Sequence, residues 1–342
     1  MSKTRIRTFH NQAYGLQIVA DMSIPELATL KPSSHRDAIR VSLARRFEHS
    51  NLIPRWYLQS RHPRGKTWLR YGKIHDGYVL SFPNLADFVV DRVGSRIVCC
   101  NASGDATIRT IRHLLIDQVL PLIVNLRGRE ALHATAIATR KGICAFTGSA
   151  GSGKSTLAAS FVLSGYPLVC DDCLAVTERK KIVGLPGYPG LRLWDDSIRG
   201  VGATSRNLKP VAHYTGKSRW STYSRPTEFY SKARRLARVY LLKRTSSSRP
   251  STCVAIRELT PAEALIGLVK AAFRFDITDT AMLKRQFHFL ARVAEQVPIK
   301  QLVMPDDFSA LAEVRQAVLR DLSEGPGPLS ATLPAATEKR PS

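Results

Sequence analysis

The chain has 342 residues, 44% of them hydrophobic, which is enough to bury one large core or two modest ones. Its apolar runs stay short of the roughly 18 residues that a membrane-spanning helix needs; Leu114 to Val124 comes nearest and is interrupted by Asp117, Gln118 and Pro121. Lys and Arg number 51 against 27 Asp and Glu, and a net charge of +24 favours anionic partners.

Residues 1–104 read as a β-rich N-terminal domain. Short alternating segments at 18–20, 38–41, 68–71, 78–82, 88–90 and 97–99 are separated by turn formers such as His75-Asp76-Gly77. No catalytic constellation occurs there, so this region is expected to serve as a platform for recognising an acceptor. Residues 105–126 then place apolar side chains at helical spacing, with Pro121 predicting a kink or break near Leu120. The basic start Met1 to Arg5 is followed by no apolar stretch, and a cytoplasmic protein is expected.

The central feature is Gly148-Ser149-Ala150-Gly151-Ser152-Gly153-Lys154-Ser155-Thr156, which satisfies the phosphate-loop (Walker A) pattern GxxxxGK[ST]. Glycines let backbone N–H groups curl around phosphate oxygens, Lys154 supplies a point charge to the outer phosphates, and the Ser155 hydroxyl is placed to ligate magnesium. The context agrees: Gly142 to Thr147 reads as a buried strand entering the loop and Ser155 to Leu163 as the helix leaving it. ATP and Mg2+ are the expected ligands.

Fifteen residues beyond Thr156, the apolar strand Pro167 to Cys170 ends in Asp171-Asp172. In open α/β sheets ligands sit outside the carboxyl ends of strands, so one carboxylate is available to the metal and the other as a base for an acceptor hydroxyl. Alone, such a pair is more often a helix cap or turn former; its placement after a phosphate loop reverses that reading. The spacing Cys170-Asp171-Asp172-Cys173 is formally C-x-x-C. If the segment continues as a strand, the two thiols point to opposite faces, which suits neither a redox pair nor half a zinc site. The six cysteines, at 99, 100, 144, 170, 173 and 253, mostly lie in apolar strands and read as buried and reduced.

Between Arg206 and Arg249 twelve basic residues face one acid, Glu228, with Tyr214, Trp220, Tyr223, Phe229 and Tyr230 interleaved. Phosphate and acidic-peptide contacts are the preferred reading, ahead of a solvated face; binding of nucleic acid is the least favoured. Val239 to Leu242 and Cys253 to Ile256 read as strands. Thr260-Pro261 opens a helix to about Ala272, another runs from about Thr280 to Gln296, and a third from Pro305 to about Leu322. The chain thus divides into the β-rich region 1–104, a catalytic α/β core 105–258 with a phosphate loop in a central sheet, a helical part 259–322, and a tail 323–342 whose composition suggests disorder.

Taken together, the residues resemble the HPr kinase/phosphorylase C-terminal-domain family, serine kinases built on a P-loop. The resemblance rests on His133 in Leu-His-Ala, the loop 148–155 and Cys170-Asp171-Asp172, with 21 residues from His133 to Lys154 and 18 from Lys154 to Asp172. It implies Asp172 as general base, Lys154 as phosphate lysine, His133 as active-site histidine, and Ser155 with Asp171 at the magnesium; taken alone His133 reads as a packed or surface histidine. The founder's Leu-Glu-[Ile/Val]-Arg-Gly stretch is not present. Gly187-Tyr188-Pro189-Gly190-Leu191-Arg192-Leu193-Trp194-Asp195 stands at that distance and resembles the divergent branch, some of whose members modify small ribosomal precursor peptides such as those of lasso peptides. Asp195 is a candidate for the missing glutamate or a structural corner, and Arg192 a phosphate contact or a turn cover. The resemblance implies a kinase of serine in a peptide or protein, and a homo-oligomer, the founding family being hexameric. A kinase of a small-molecule hydroxyl and a nucleotide-dependent switch with an anionic partner are the rival readings.

Overall fold

The computed structural model describes residues 7–31, 37–44, 53–61, 65–101, 106–204, 208–222, 226–245 and 254–323. Arg206, Tyr223, Arg249, Cys253 and the stretch 324–342 read above as a tail lie outside the described residues.

The fold is mixed α/β, built on two large sheets. The N-terminal alternation produces a nine-stranded sheet in the order Ala28–Thr29, Phe9–Ala13, Leu16–Ala20, Ile39–Ala44, Arg96–Cys100, Ala86–Asp91, Gly77–Phe82, Thr67–Ile74, Arg55–Arg61. Three of these are not among the six segments read from sequence. Arg55–Arg61 is an edge strand with most of its side chains outside, and Phe9–Ala13 carries polar residues, so neither alternates legibly. The apolar face, including Ile18, Ile39, Leu80 and Phe88, packs on Ile111, Leu115, Val119 and Ile123 of the following helical segment.

That segment opens at Ile108 under Thr107, whose hydroxyl accepts the N–H of Thr110. It is α-helical over Ile108–Leu114, widens into a π turn over Leu115–Val119, and resumes as α-helix over Leu120–Leu126. Pro121 occupies the first turn of the last piece, where a missing N–H and a fixed φ are tolerated, so the irregularity expected near Leu120 takes the form of a π turn within a continuous helical segment and not of a break.

The second sheet is also nine-stranded. Its central order is Arg234–Arg244, Gly142–Thr147, Ala134–Thr139, Leu168–Cys170, with Ile299–Met304 on the far side of Arg234–Arg244. Strand residues alternate between faces: Cys144 and Phe146 meet Leu157, Phe161 and Val314 from helices Lys154–Leu163 and Leu311–Asp321. Ile143 and Ala145 meet Leu268, Leu290 and Val293 from helices Pro261–Ala271 and Thr280–Gln296. Thr260 and Glu263 form a reciprocal capping box at the start of the former. The last helix begins at Leu311, after a 3-10 turn at Phe308–Ala310, rather than at Pro305.

Strand direction decides where chemistry gathers. Gly142–Thr147 runs parallel to Arg234–Arg244, while Ala134–Thr139 is antiparallel to both Gly142–Thr147 and Leu168–Cys170. The carboxyl ends of 142–147, 168–170 and 234–244 and the amino end of 134–139 therefore share one rim. His133, the loop 148–156, Asp171-Asp172 and Arg244 are all delivered there.

Candidate active site

The loop 148–156 takes its shape from glycine. Gly151 and Gly153 adopt φ of 78° and 91°, the left-handed region that favours glycine, and a Cβ on Gly153 would stand 2.9 Å from the Arg244 guanidinium. The helix Lys154–Leu163 starts with Gly153 as its N-cap, so the free N–H groups of its first turn open onto the rim. Lys154 is buried, and its Nζ donates to the carbonyls of Gly148 (2.8 Å) and Ser149 (3.0 Å). Burial lowers its pKa, with Asp172 and Asp171 acting in the opposite direction.

The two aspartates are separated by a turn. Asp172 has φ of 59°, a left-handed conformation that Asp tolerates, and Cys173 N–H closes back on Asp171 O at 2.8 Å. The segment does not continue as a strand beyond Cys170, so the strand geometry that would point the two cysteines apart does not apply. Both thiols are buried and free; Cys170 Sγ lies 3.8 Å from Ala134 O.

The turn gives the carboxylates opposite fates. Asp171 is 0% exposed, and its oxygens accept from Thr135 Oγ1, Ser155 Oγ and Arg192 N–H, each at 2.8 Å. Burial and then the charge of Asp172 push its pKa up to about 7. It lines neither of the two cavities at this rim, but its partners Ser155 and Arg192 do. The Asp172 side chain, 27% exposed, faces the cleft and accepts from Arg192 Nη2 at 2.6 Å. His133 is fixed by backbone: its N–H donates to Ala271 O at 2.7 Å, its carbonyl accepts from Thr147 Oγ1 at 2.9 Å, and its ring sits edge-on to Phe273. Burial holds its pKa below the ordinary histidine value, opposed by the carboxylate and backbone of Asp172.

Two cavities meet over these residues. One, about 440 Å³, is lined by Ala150 to Thr156, Trp194 and Arg244. The other, about 280 Å³, is walled by Trp68 of the N-terminal sheet and by Tyr214 and Phe273. His133, Asp172, Arg192 and Lys217 line both. Lys154, Arg192, Lys217 and Arg244 line the first cavity beside Asp172, Asp196 and Asp306, with Arg192 paired to Asp172 and Arg244 to Asp306; Lys154 and Lys217 are the cations there that face phosphate without such a pairing in the lining. The cavity's oxygen donors also suit a magnesium nucleotide: Ser155 and Asp172 are in the lining, while Asp171 is buried behind the Ser155 hydroxyl at 2.8 Å, and magnesium characteristically takes one or two carboxylates together with phosphate oxygens. The buried Ser152 Oγ has no partner among the described residues.

No family model matches the chain, and none of the curated proteins does. Among solved structures, the HPr(Ser) kinase/phosphatase from Coxiella burnetii matches at 12% identity and a TM-score of 0.31, over 56% of this chain and 97% of that one.

The site residues read from sequence, 148–156, Asp171, Asp172 and His133, thus come together on one rim. Asp195 does not join them: it is exposed in the short helix Asp195–Gly200, and its neighbour Asp196 lines the cleft instead. Of the aromatics in the basic segment, Trp220 is 1% exposed and belongs to the core, so it offers no face for stacking a base. Asp117 and Trp68 were not legible as site residues. Asp117 left a trace, a lone carboxylate in the apolar run Leu114 to Val124.

Proposed function

We propose that the protein is a kinase that transfers the γ-phosphoryl group of ATP to a hydroxyl, that of serine in a peptide or protein. The observation carrying this is the position of Asp172 and His133 on the wall shared by the two cavities. A carboxylate there sees a phosphoryl donor on one side and an acceptor on the other.

Loop 149–155 and Lys154 hold the donor phosphates, while Asp171 orients Ser155. Ser155, with the buried Asp171 behind its hydroxyl, would hold magnesium, which would supply charge neutralisation for the phosphates. The acceptor enters the 280 Å³ cavity with its hydroxyl toward Asp172. Its oxygen forms the new O–P bond as the bond to the β-phosphate oxygen breaks; its proton passes to Asp172, and the electron pair leaves with ADP. Lys217 and Arg192, on the seam, offset charge on the group in transit.

A second reading, a small-molecule hydroxyl as acceptor, is favoured by the modest size of the acceptor cavity. One experiment addresses both: transfer from γ-labelled ATP with magnesium into neighbouring-gene peptides and a cell extract, wild type against Asp172→Asn. Label in a serine peptide with wild type alone supports the peptide kinase, and label in a metabolite selects the second reading. ATP bound tightly without labelled product removes the kinase.

A further inference from the structure

Asp117 belongs to no phosphate-binding motif, yet it lies in the π turn that precedes Pro121. Within the segment 108–126 the π turn Leu115–Val119 keeps Leu115, Ile116 and Val119 in the core. Asp117, its side chain 8% exposed, meets Arg192 Nη1 from the same turn. Inserted π turns recur at functional sites because they re-aim one side chain without breaking the helix.

Arg192 is itself nearly buried, and three carboxylates surround its guanidinium. Nη1 contacts Asp117, Nη2 donates to Asp172 at 2.6 Å, and Nε stands 3.9 Å from Asp171. A buried guanidinium is costly unless paired on several sides. Asp117 is oriented in turn by His113, whose Nδ1 lies 2.7 Å from its Oδ2; since a carboxylate only accepts, the imidazole donates there.

The arrangement has a consequence for the reaction. Arg192 lines both cavities, so its Nη2 can serve Asp172 or an incoming phosphoryl oxygen. When Asp172 takes the hydroxyl proton it loses its charge and its hold on Arg192. A counter-charge outside the reacting atoms has to keep the guanidinium in place; Asp171 holds the Arg192 backbone N–H at 2.8 Å but stands 3.9 Å from Nε, so Asp117 is the carboxylate in direct contact with the guanidinium that is so situated. We infer that Asp117 is a positioning residue for phosphoryl transfer, anchoring Arg192 by one arm so that the other stays at the junction of the donor and acceptor cavities. The inference rests on the kinase reading for its kinetic effect but not for its geometry.

The test compares wild type with Asp117→Asn, Asp117→Glu, Arg192→Lys and Asp117→Asn/Arg192→Lys, with thermal unfolding of each. Loss of an anchor that misplaces Arg192 by about 1 Å lowers kcat by up to about 100-fold in Asp117→Asn, with KM for ATP within about threefold. Asp117→Glu recovers most of the loss, and the double variant is no slower than Arg192→Lys because both act through one guanidinium. Unchanged kcat in Asp117→Asn, or additive losses in the double variant, overturns the inference. A crystal structure of Asp117→Asn decides it independently of turnover: Arg192 is expected to leave its place between the cavities, and an Arg192 that stays put overturns the proposal even if wild type proves inactive. Wild type that phosphorylates nothing sinks the kinase reading separately.

Discussion

Ser155 donates its hydroxyl to Asp171 Oδ1 across 2.8 Å, which ties the first turn of helix Lys154–Leu163 to the carboxyl end of strand Leu168–Cys170. The same oxygen accepts from Thr135 at 2.8 Å, so Asp171 keeps a hydroxyl partner if Ser155 is truncated. Ser155→Ala is therefore expected to fold with nearly the wild-type midpoint and to lose magnesium-dependent transfer by on the order of 100-fold. Thermal unfolding alongside transfer from γ-labelled ATP checks both halves; full transfer by Ser155→Ala would remove the hydroxyl from the metal site.

Gly153 is a second place where backbone and chemistry meet. At φ of 91° an alanine costs about 1–2 kcal/mol, and its Cβ would press on Arg244, which must swing away. Arg244 pairs with Asp306 and lines the 440 Å³ cavity, so the displacement reaches the phosphate seat. Gly153→Ala should weaken ATP binding by about tenfold, the equivalent of about 1.4 kcal/mol. Calorimetric titration with a non-hydrolysable analogue would show it, and unaltered affinity would mean that the loop tolerates a side chain there.

Trp68 offers a prediction that separates the two substrates. Its ring stands 5.5 Å from Phe82 in its own sheet and 5.0 Å from Tyr214, in contact with it on the wall of the 280 Å³ cavity, and it does not line the other cavity. Trp68→Ala should raise KM for the acceptor by about tenfold while leaving KM for ATP unchanged, since an aromatic contact contributes about 1 kcal/mol beyond its burial. Equal effects on both constants would place the acceptor elsewhere.

Sequence made the elements and the motif legible because both are local. Helical spacing, the Thr260 cap and the loop 148–156 each lie within one continuous stretch, and the predicted helices 261–272 and 280–296 match those found to within a residue. What stayed hidden is non-local. That Ala134–Thr139 would lie antiparallel between the loop strand and the aspartate strand, bringing His133 to the rim, is a matter of pairing order rather than periodicity. Asp117 meets Arg192 across 75 positions, and Trp68 meets Tyr214 across 146, distances over which no pattern rule acts.

The last helix is held by one carboxylate with three partners. Asp321 accepts from Arg238 Nη1 (2.7 Å) and Tyr240 OH (2.6 Å) on strand Arg234–Arg244, and from Lys300 Nζ (2.6 Å) on strand Ile299–Met304. Burial raises its pKa, but the bonds from Lys300 and Tyr240 and the charges of Arg238 and Lys300 outweigh burial and hold the group below its ordinary 3.8. A carboxyl whose pKa is lower folded than unfolded contributes stability that is present above the unfolded value of 3.8 and is lost as pH falls through the folded value. Asp321→Asn should lower unfolding free energy at pH 7 by on the order of 3 kcal/mol, because Lys300 and Arg238 are left largely buried without this acceptor. The gap between wild type and variant should then begin to shrink as the pH falls below 3.8, where the unfolded chain takes up the proton, and go on shrinking toward the lower folded value, where native wild type too loses the charge. Urea unfolding of both proteins at pH 7 and pH 3 makes the comparison; a gap that is equal at the two values would show that Asp321 acts through shape rather than charge.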